Sequence, residues 1–546
     1  MSLNNNDKPS ILDRGTIIAL VVTVVFWLAW SKYIESKYPK EQSVATVQNS
    51  DQKGDDSKLI AAPIASNQPS GSLEKKAAPG TNQEETRLSF DNEKWHFEVS
   101  SKGMGIKNVV ISDFKTRQNE AVILGQSDVV ASFATGLIST GQPIDFQISK
   151  IDSNIFQGKA DLGDVKVVKT LTINPENYSI HGKVEYEGGF LGSTLLLGDV
   201  VPAVEENHSF MSRSTEFLEW VVLHEGSRSQ NHIDLNKGGT TEANQVSIAA
   251  LSSHYFSLAV VDHSDVLPQF RSSVPASAQE VQGALIYDFR PAPSTEKVTL
   301  NFIGYAGPKK YDILEKIDES LPRIIDYGMF FFIAKPMLWL MKALFSIFSN
   351  WGIAIIVLTI IVRLIVLPFN VYSYKSMKAM QRIQPEMNRI RENYKDKPAD
   401  QKIQMNQEIM ELMKRNQANP LGGCLPMLLQ LPVFFALYQV LGQSIELYQA
   451  PFGLWIHDLS AKDPLFVLPV LMAITMFIQQ KITPSTMDPQ QAKIMQWMPV
   501  IFAFFMLGLP SGLTLYIFVS TLFGIIQQYI FMKDKKPVSA VKAVKA

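Results

Sequence analysis

A polytopic α-helical membrane protein carrying a large all-β domain is the fold class this sequence predicts, and three observations predict it. Five apolar runs crowd the C-terminal part of the 546 residues: Trp351–Phe369, Leu421–Leu441, Leu465–Ile478, Ile494–Leu509 and Gly512–Phe531. The longer ones match the roughly 20 residues a helix needs to cross about 30 Å of hydrocarbon. From about Leu88 to Gly307 apolar and polar residues alternate instead, as half-buried antiparallel strands do. A further apolar run, Gly15–Trp30, reads as a signal-anchor. The formal net charge of −1 hides a strong segregation of charge. The single cysteine, Cys424, excludes a disulfide framework or a cysteine metal site within one chain.

In chain order, residues 1–30 form a polar cytoplasmic tail and the signal-anchor. Trp27 and Trp30 stand where a cleavage site would need small residues, so the segment is expected to stay uncleaved. Residues 31–86 are a linker. From about Glu41 they are rich in Ser, Gln, Asp, Lys, Pro and Gly, too poor in apolar surface to offset the entropy of ordering. Residues 87–325 are the β-domain. Tyr178, Ile180, Val184 and Tyr186 alternate with Ser179, His181, Lys183 and Glu185; Val165–Ile173 and Val298–Phe302 behave alike. The domain carries no readable chemistry, because His224-Glu225 is not HExxH and Gly103-Met104-Gly105 lacks the third glycine of a dinucleotide loop. It reads as a binding or scaffolding module.

Residues 326–349 contain an apolar run, Met329–Phe348, interrupted by Lys335, Pro336 and Lys342. The two lysines are seven apart on one helix face, which suits a helix lying in the interface. The alternative is a true span, and topology parity decides between them. Val371–Pro420 carries ten basic residues against six acidic ones, and residues 533–546 add five lysines. Basic loops stay in the cytoplasm. An interfacial helix leaves the β-domain outside and both basic segments inside, whereas a spanning helix inverts every assignment. The core is therefore 350–532, with five spans.

Residues 371–420 read as a cytoplasmic helical hairpin. Met380, Ile383, Met387, Ile390 and Tyr394 are spaced as a heptad seam, a turn follows at 396–400, and Met405, Ile409 and Leu412 are positioned to face back. Met380 and Met387 are either seam packing or an adaptable apolar surface. The basic face, with Arg382, Arg389 and Arg391, either fixes topology or also attracts anionic lipid head groups or ribosomal RNA.

Arg363 lies inside the first core span. A guanidinium in hydrocarbon costs roughly 2.5–3.5 kcal/mol on insertion scales and usually faces a polar interior. It is six residues from Phe369, so snorkelling to the interface is the other reading. Thr359, Gln430, Ser520 and Thr521 are polar residues at comparable depth and, together with Arg363, can line a wet pocket on the cytoplasmic side. No span carries a carboxylate, so the anionic partner of Arg363 would be a visitor.

Three stretches, NPLGGCLPMLLQLPVFFALYQVL (Asn419–Leu441), APFGLWIHDLSAKDP (Ala450–Pro464) and KIMQWMPVIFAFFMLGLPSGLTLY (Lys493–Tyr516), closely resemble the YidC family of bacterial membrane protein insertases. The resemblance covers essentially Tyr311 to Phe531, and the signal-anchor, linker and β-domain agree with the Gram-negative form. It implies a periplasmic β-supersandwich, an amphipathic periplasmic helix, a five-helix insertase core in the inner membrane, and a cytoplasm-facing hydrophilic groove holding Arg363 with Thr359. It further implies substrate contacts along the third and fifth spans, with Phe434, Met472 and Tyr516 as an apolar slide. Relatives often carry a second tyrosine after the position of Tyr516; here Ile517 stands there, so no hydrogen-bonding role passes to it. The expected partners are nascent membrane proteins, the Sec translocon, a weakly bound ribosome and anionic lipids. No DNA partner, cofactor or metal is expected.

The leading function is thus an energy-independent insertase, with assembly chaperone as a compatible alternative. A secondary transporter would need intramembrane Asp or Glu and an internal repeat, both missing. An intramembrane protease would need a base to activate Ser511, and no span offers His or Lys for it. No GxxxxGK[ST] loop appears, in keeping with a protein that hydrolyses no ATP.

Overall fold

The computed structural model describes residues 84–190, 192–200, 218–224, 227–232, 238–274, 279–289, 291, 297–395, 397–416, 418, 425–483 and 489–532. The signal-anchor, nearly all of the linker and the basic tail lie outside the described residues. The described chain divides after Asp326 into a β unit and a helical unit.

In the β unit the alternation of the sequence becomes alternation of burial. Lys166–Asn174 and Ser179–Glu187 each turn every second side chain inward, and they pair antiparallel with Lys166 opposite Glu187 and Thr172 opposite His181. These strands belong to a nine-stranded sheet. Its order is Ser227–His232, Glu219–His224, Val246–Ser252, Phe256–Asp262, Lys297–Pro308, Ser179–Glu187, Lys166–Asn174, Ile155–Asp161, Gln147–Asp152. A five-stranded sheet packs against it, with Trp220 edge-on to Phe270 at 4.9 Å and Phe133 against Phe302 at 6.4 Å. A four-stranded sheet covers another part through Trp95 against Tyr178 and Phe114 against Phe256. The result is a β-sandwich.

One residue breaks the apolar pattern of this core. Lys169 falls on the inward parity between Val167 and Leu171 and is fully buried. Its ammonium donates to the carbonyls of Gly103 (3.1 Å) and Phe133 (2.5 Å) and lies over the Phe302 ring. Burial pushes its pKa well below the usual lysine value. The unit closes with helix α1 (Tyr311–Ile317) and a 3₁₀ turn at Leu321–Ile324.

The helical unit comprises α2 (Phe331–Phe348), α3 (Trp351–Asn393), α4 (Ala399–Arg415), α5 (Leu425–Gln443), α6 (Val467–Ile482), α7 (Pro489–Met506) and α8 (Ser511–Met532). Helix α3 packs on α2, α4 and α8; α6 packs on α7 and α8; α5 packs on α2, with smaller contacts to α3 and α8. The first core span and the first hairpin helix, separated at Phe369 in the sequence reading, are one 43-residue helix. Pro368 and Pro385 lie inside it. Each removes one backbone hydrogen bond, but the rest of the helical ladder runs on through both. Helix α3 starts on Asn350, whose side chain accepts from the Ile353 N–H at 3.0 Å and donates to the Phe452 carbonyl at 2.9 Å.

Among the described residues, Phe331–Phe348, Trp351–Asn393 and Ser511–Phe531 are long and apolar enough to cross a membrane, and Val467–Ile482 and Trp497–Met506 are shorter apolar helices. Helix α2 meets this criterion by length and composition alone, which an amphipathic helix lying in the interface can also do. One side of α2 buries Ala334, Met337, Leu338, Met341 and Leu344, while Trp339 and Ile347 are each 71% exposed. Lys342 is tied to Glu446 at 3.0 Å.

Candidate functional site

The end of α3 beyond the apolar core folds against α4 around Met380, Ile383, Met387, Ile409, Leu412 and Ala418. The seam is closed by Tyr394 donating to Glu408 at 2.8 Å. Met380 and Met387 are 5% and 1% exposed, so they fill the seam and offer no outer surface. Arg382 and Arg389 point to solvent and Arg391 is half-buried.

Between α3, α5, α6 and α8 lies the polar interior. Arg363 donates through Nε (2.8 Å) and Nη2 (2.6 Å) to the Ser520 hydroxyl, and no carboxylate among the described residues pairs with it. A Cβ at Gly524, one turn beyond Ser520, would meet the Gln479 amide at 3.2 Å and the Arg363 guanidinium at 3.7 Å. The missing side chain therefore makes room for both groups. On the other side Gln430 donates to the Tyr516 hydroxyl at 2.7 Å, linking α5 to α8. Thr359 is 1% exposed, and its hydroxyl donates at 2.6 Å to the Ile355 carbonyl of its own helix.

The polar strip continues past the residues singled out from sequence. Asn370 donates to Gln527 at 3.3 Å, and Gln528 and Thr483 exchange hydrogen bonds between α8 and α6 at 3.1 and 3.4 Å. The buried Gln527 Nε2 meets no acceptor among the described residues. A signal for this extension was present. Asn370 follows Arg363 by seven residues and Gln527 follows Ser520 by seven, the same helix face two turns on.

Of the residues expected along an apolar slide, Met472 is fully buried and Tyr516 is 2% exposed, both inside the helical unit. Phe434 is half-buried in an aromatic group with Phe435 and Tyr438. The outward apolar faces are Val470, Ile474, Phe477 and Ile478 on α6 and Trp497, Ile501 and Phe504 on α7. A 3.6-residue period turns Met472 away from the face that carries Val470 and Ile474.

One fixed cation held by a hydroxyl, with amides along the same strip, can bind anionic or hydrogen-bonding groups. It offers no activated nucleophile. Among the described residues no group of His, Cys, Asp or Glu is placed to hold a metal. Ser511, the one serine that invites a catalytic reading, donates to the Ala461 carbonyl at 2.7 Å and anchors the start of α8.

Comparison with known proteins bears on both units. A family model described as the YidC periplasmic domain matches residues 87–340, and one described as 60Kd inner membrane protein matches residues 343–538. The membrane protein insertase YidC of Geotalea daltonii is 32% identical over 547 residues, covering 96% of this chain and 99% of the relative. That of Geobacter sp. strain M21 is 43% identical over 301 residues, 55% of each chain, so the match spans about half the length of that relative. A solved structure, described as an active YidC insertase with the first transmembrane domain resolved, shares 20% identity. It covers 82% of this chain and 93% of its own, with a TM-score of 0.38.

Proposed function

The chain belongs to the YidC membrane protein insertase family, and from that membership we propose that it inserts nascent proteins into the bacterial inner membrane and helps them fold, alone or with the Sec translocon. One observation carries the mechanism. Arg363 sits at membrane depth bonded to a serine, with no carboxylate among the described residues to neutralise it. A buried cation without an internal counter-charge attracts an anionic visitor. The acidic or polar tail of a client enters from the cytoplasm and exchanges water for Arg363, Ser520 and the amides of the strip. Its hydrophobic segment meanwhile leaves along the outward faces of α6 and α7 into lipid. Apolar burial and the membrane potential drive the transfer, so no nucleotide is consumed.

In this reading the β unit is periplasmic, α2 lies in the outer interface with Trp339 toward lipid, and the hairpin and both termini are cytoplasmic. Arg382, Arg389 and Arg391 there meet anionic lipid or the ribosome.

The test is insertion into proteoliposomes of two clients that differ only in tail charge. Arg363→Ala is expected to reduce insertion of the acidic-tailed client at least several-fold more than that of the neutral one. Arg363→Lys, which keeps the charge and loses the planar fork, is expected to retain part of the activity. Equal losses for both clients would remove the electrostatic account.

A further inference from the structure

Helices α5 and α6 are joined by residues 444–466, a loop knit tightly to the helix starts. Asp458 accepts from the N–H groups of Gln449 (3.0 Å) and Ser460 (2.8 Å). Asp463 accepts from the Trp455 indole (3.0 Å) and from the N–H groups of Leu465 (3.1 Å) and Leu468 (2.7 Å). The Leu459 and Ala461 carbonyls receive the N–H groups of Gly512 and Ser511, and Phe452 seats so closely on Gly352 that a Cβ there would lie 2.0 Å from its ring. A loop built this firmly would be expected to turn its apolar residues inward.

Three of them point out instead. Leu454 is 86% exposed, Leu465 63% and Phe466 41%. An exposed leucine alone means little. Leu454, however, also sits at φ +55° in the two-residue turn bridged by Gly453 and Ile456, a position that favours glycine. Phe466 is held at φ +55° as well. The left-handed conformation crowds Cβ against the following carbonyl oxygen and so strains any residue that has one. Strain and exposed apolar surface thus coincide twice.

The adjoining helix indicates what covers them. Helix α6 has 16 residues, about 24 Å, and its apolar part ends at Ile478, so it falls well short of about 30 Å of hydrocarbon. Its exposed stripe of Val470, Ile474 and Ile478 runs directly into Phe466 and Leu465. We propose that loop 444–466 is a hydrophobic wedge in the outer leaflet, its Leu454, Leu465 and Phe466 side chains seated among lipid acyl chains where α6 falls short. The wedge rests on the membrane-spanning reading of the helical unit.

The test reads position and not activity. Leu454→Cys in a Cys424→Ala background is labelled with a polarity-sensitive fluorophore and the full chain is reconstituted in phosphatidylglycerol–phosphatidylethanolamine vesicles. Ser153→Cys, on an exposed turn of the β unit, is the aqueous control. The label at 454 should be quenched at least about twofold by lipid spin-labelled near the head group, and iodide should quench it several-fold less than the control. Free access to iodide without lipid quenching would overturn the wedge. So would lipid quenching that appears only after a ribosome-held client is added, which would assign the patch to the client. A chain that is lipid-quenched at 454 yet inserts nothing would refute the insertase reading and leave the wedge in place.

Discussion

Arg363 and Asp199 illustrate how withdrawal from water turns an ordinary side chain into a constraint on what surrounds it. Asp199 of the β unit accepts from the N–H groups of Gln126 (2.9 Å) and Val200 (2.8 Å). Burial outweighs these bonds, and with the Glu280 carboxylate nearby it pushes the pKa up to about 6. A carboxyl raised on folding contributes stability below its unfolded value, near 4, and that contribution is lost as pH climbs through about 6. Two pH units correspond to about 3 kcal/mol. Asp199→Asn should therefore raise the unfolding temperature of the full-length protein at pH 7 and flatten its dependence between pH 4 and 6. An unchanged slope in a thermal scan would show that Asp199 does not set it. Lys169 is a second case. It shares the inward parity of Val167 and Leu171, and the carbonyls of Gly103 and Phe133 converge on it from outside its strand.

At the scale of elements, the hairpin divides its labour between two faces. The methionine seam holds α4 against the end of α3, while Arg382 and Arg389 remain outside it. Met387→Ala should cost the hairpin about 2–5 kcal/mol, the usual range for emptying a buried site, and hydrogen exchange across Ala399–Arg415 should accelerate. Arg382→Glu with Arg389→Glu should leave that exchange unchanged and weaken cosedimentation with anionic vesicles. If the charge reversal also loosened α4, the two faces would not be independent. Helix α3 itself shows why boundaries were harder to read than elements. Pro368 marks the edge of the apolar run, but composition changes there while the backbone does not, since a proline leaves the rest of the helical hydrogen-bond ladder intact.

For the whole molecule, the decisive feature is that the polar strip and the β-sandwich reside in separate units. Every residue proposed to handle a client tail lies in the helical unit. Removing most of residues 87–325, with the signal-anchor and core retained, should leave insertion of a simple single-span client within about twofold of the parent. Complete loss of insertion, with the core still assembled by protease protection, would make the β unit part of the machinery.

Periodicity and hydropathy alone determined the two-part architecture, the hairpin seam and the absence of any carboxylate from the apolar runs that surround Arg363 in sequence, because each is a property of residues near one another in sequence. They did not determine what Arg363 touches, that Thr359 bonds to its own helix, that Met472 and Tyr516 turn inward, or that Asn370 and Gln527 extend the strip. Those depend on how α3, α6 and α8 rotate about their axes when they pack. A rotation of a few tens of degrees changes which side chains meet without altering the hydropathy of any helix. Only the tertiary structure decided them.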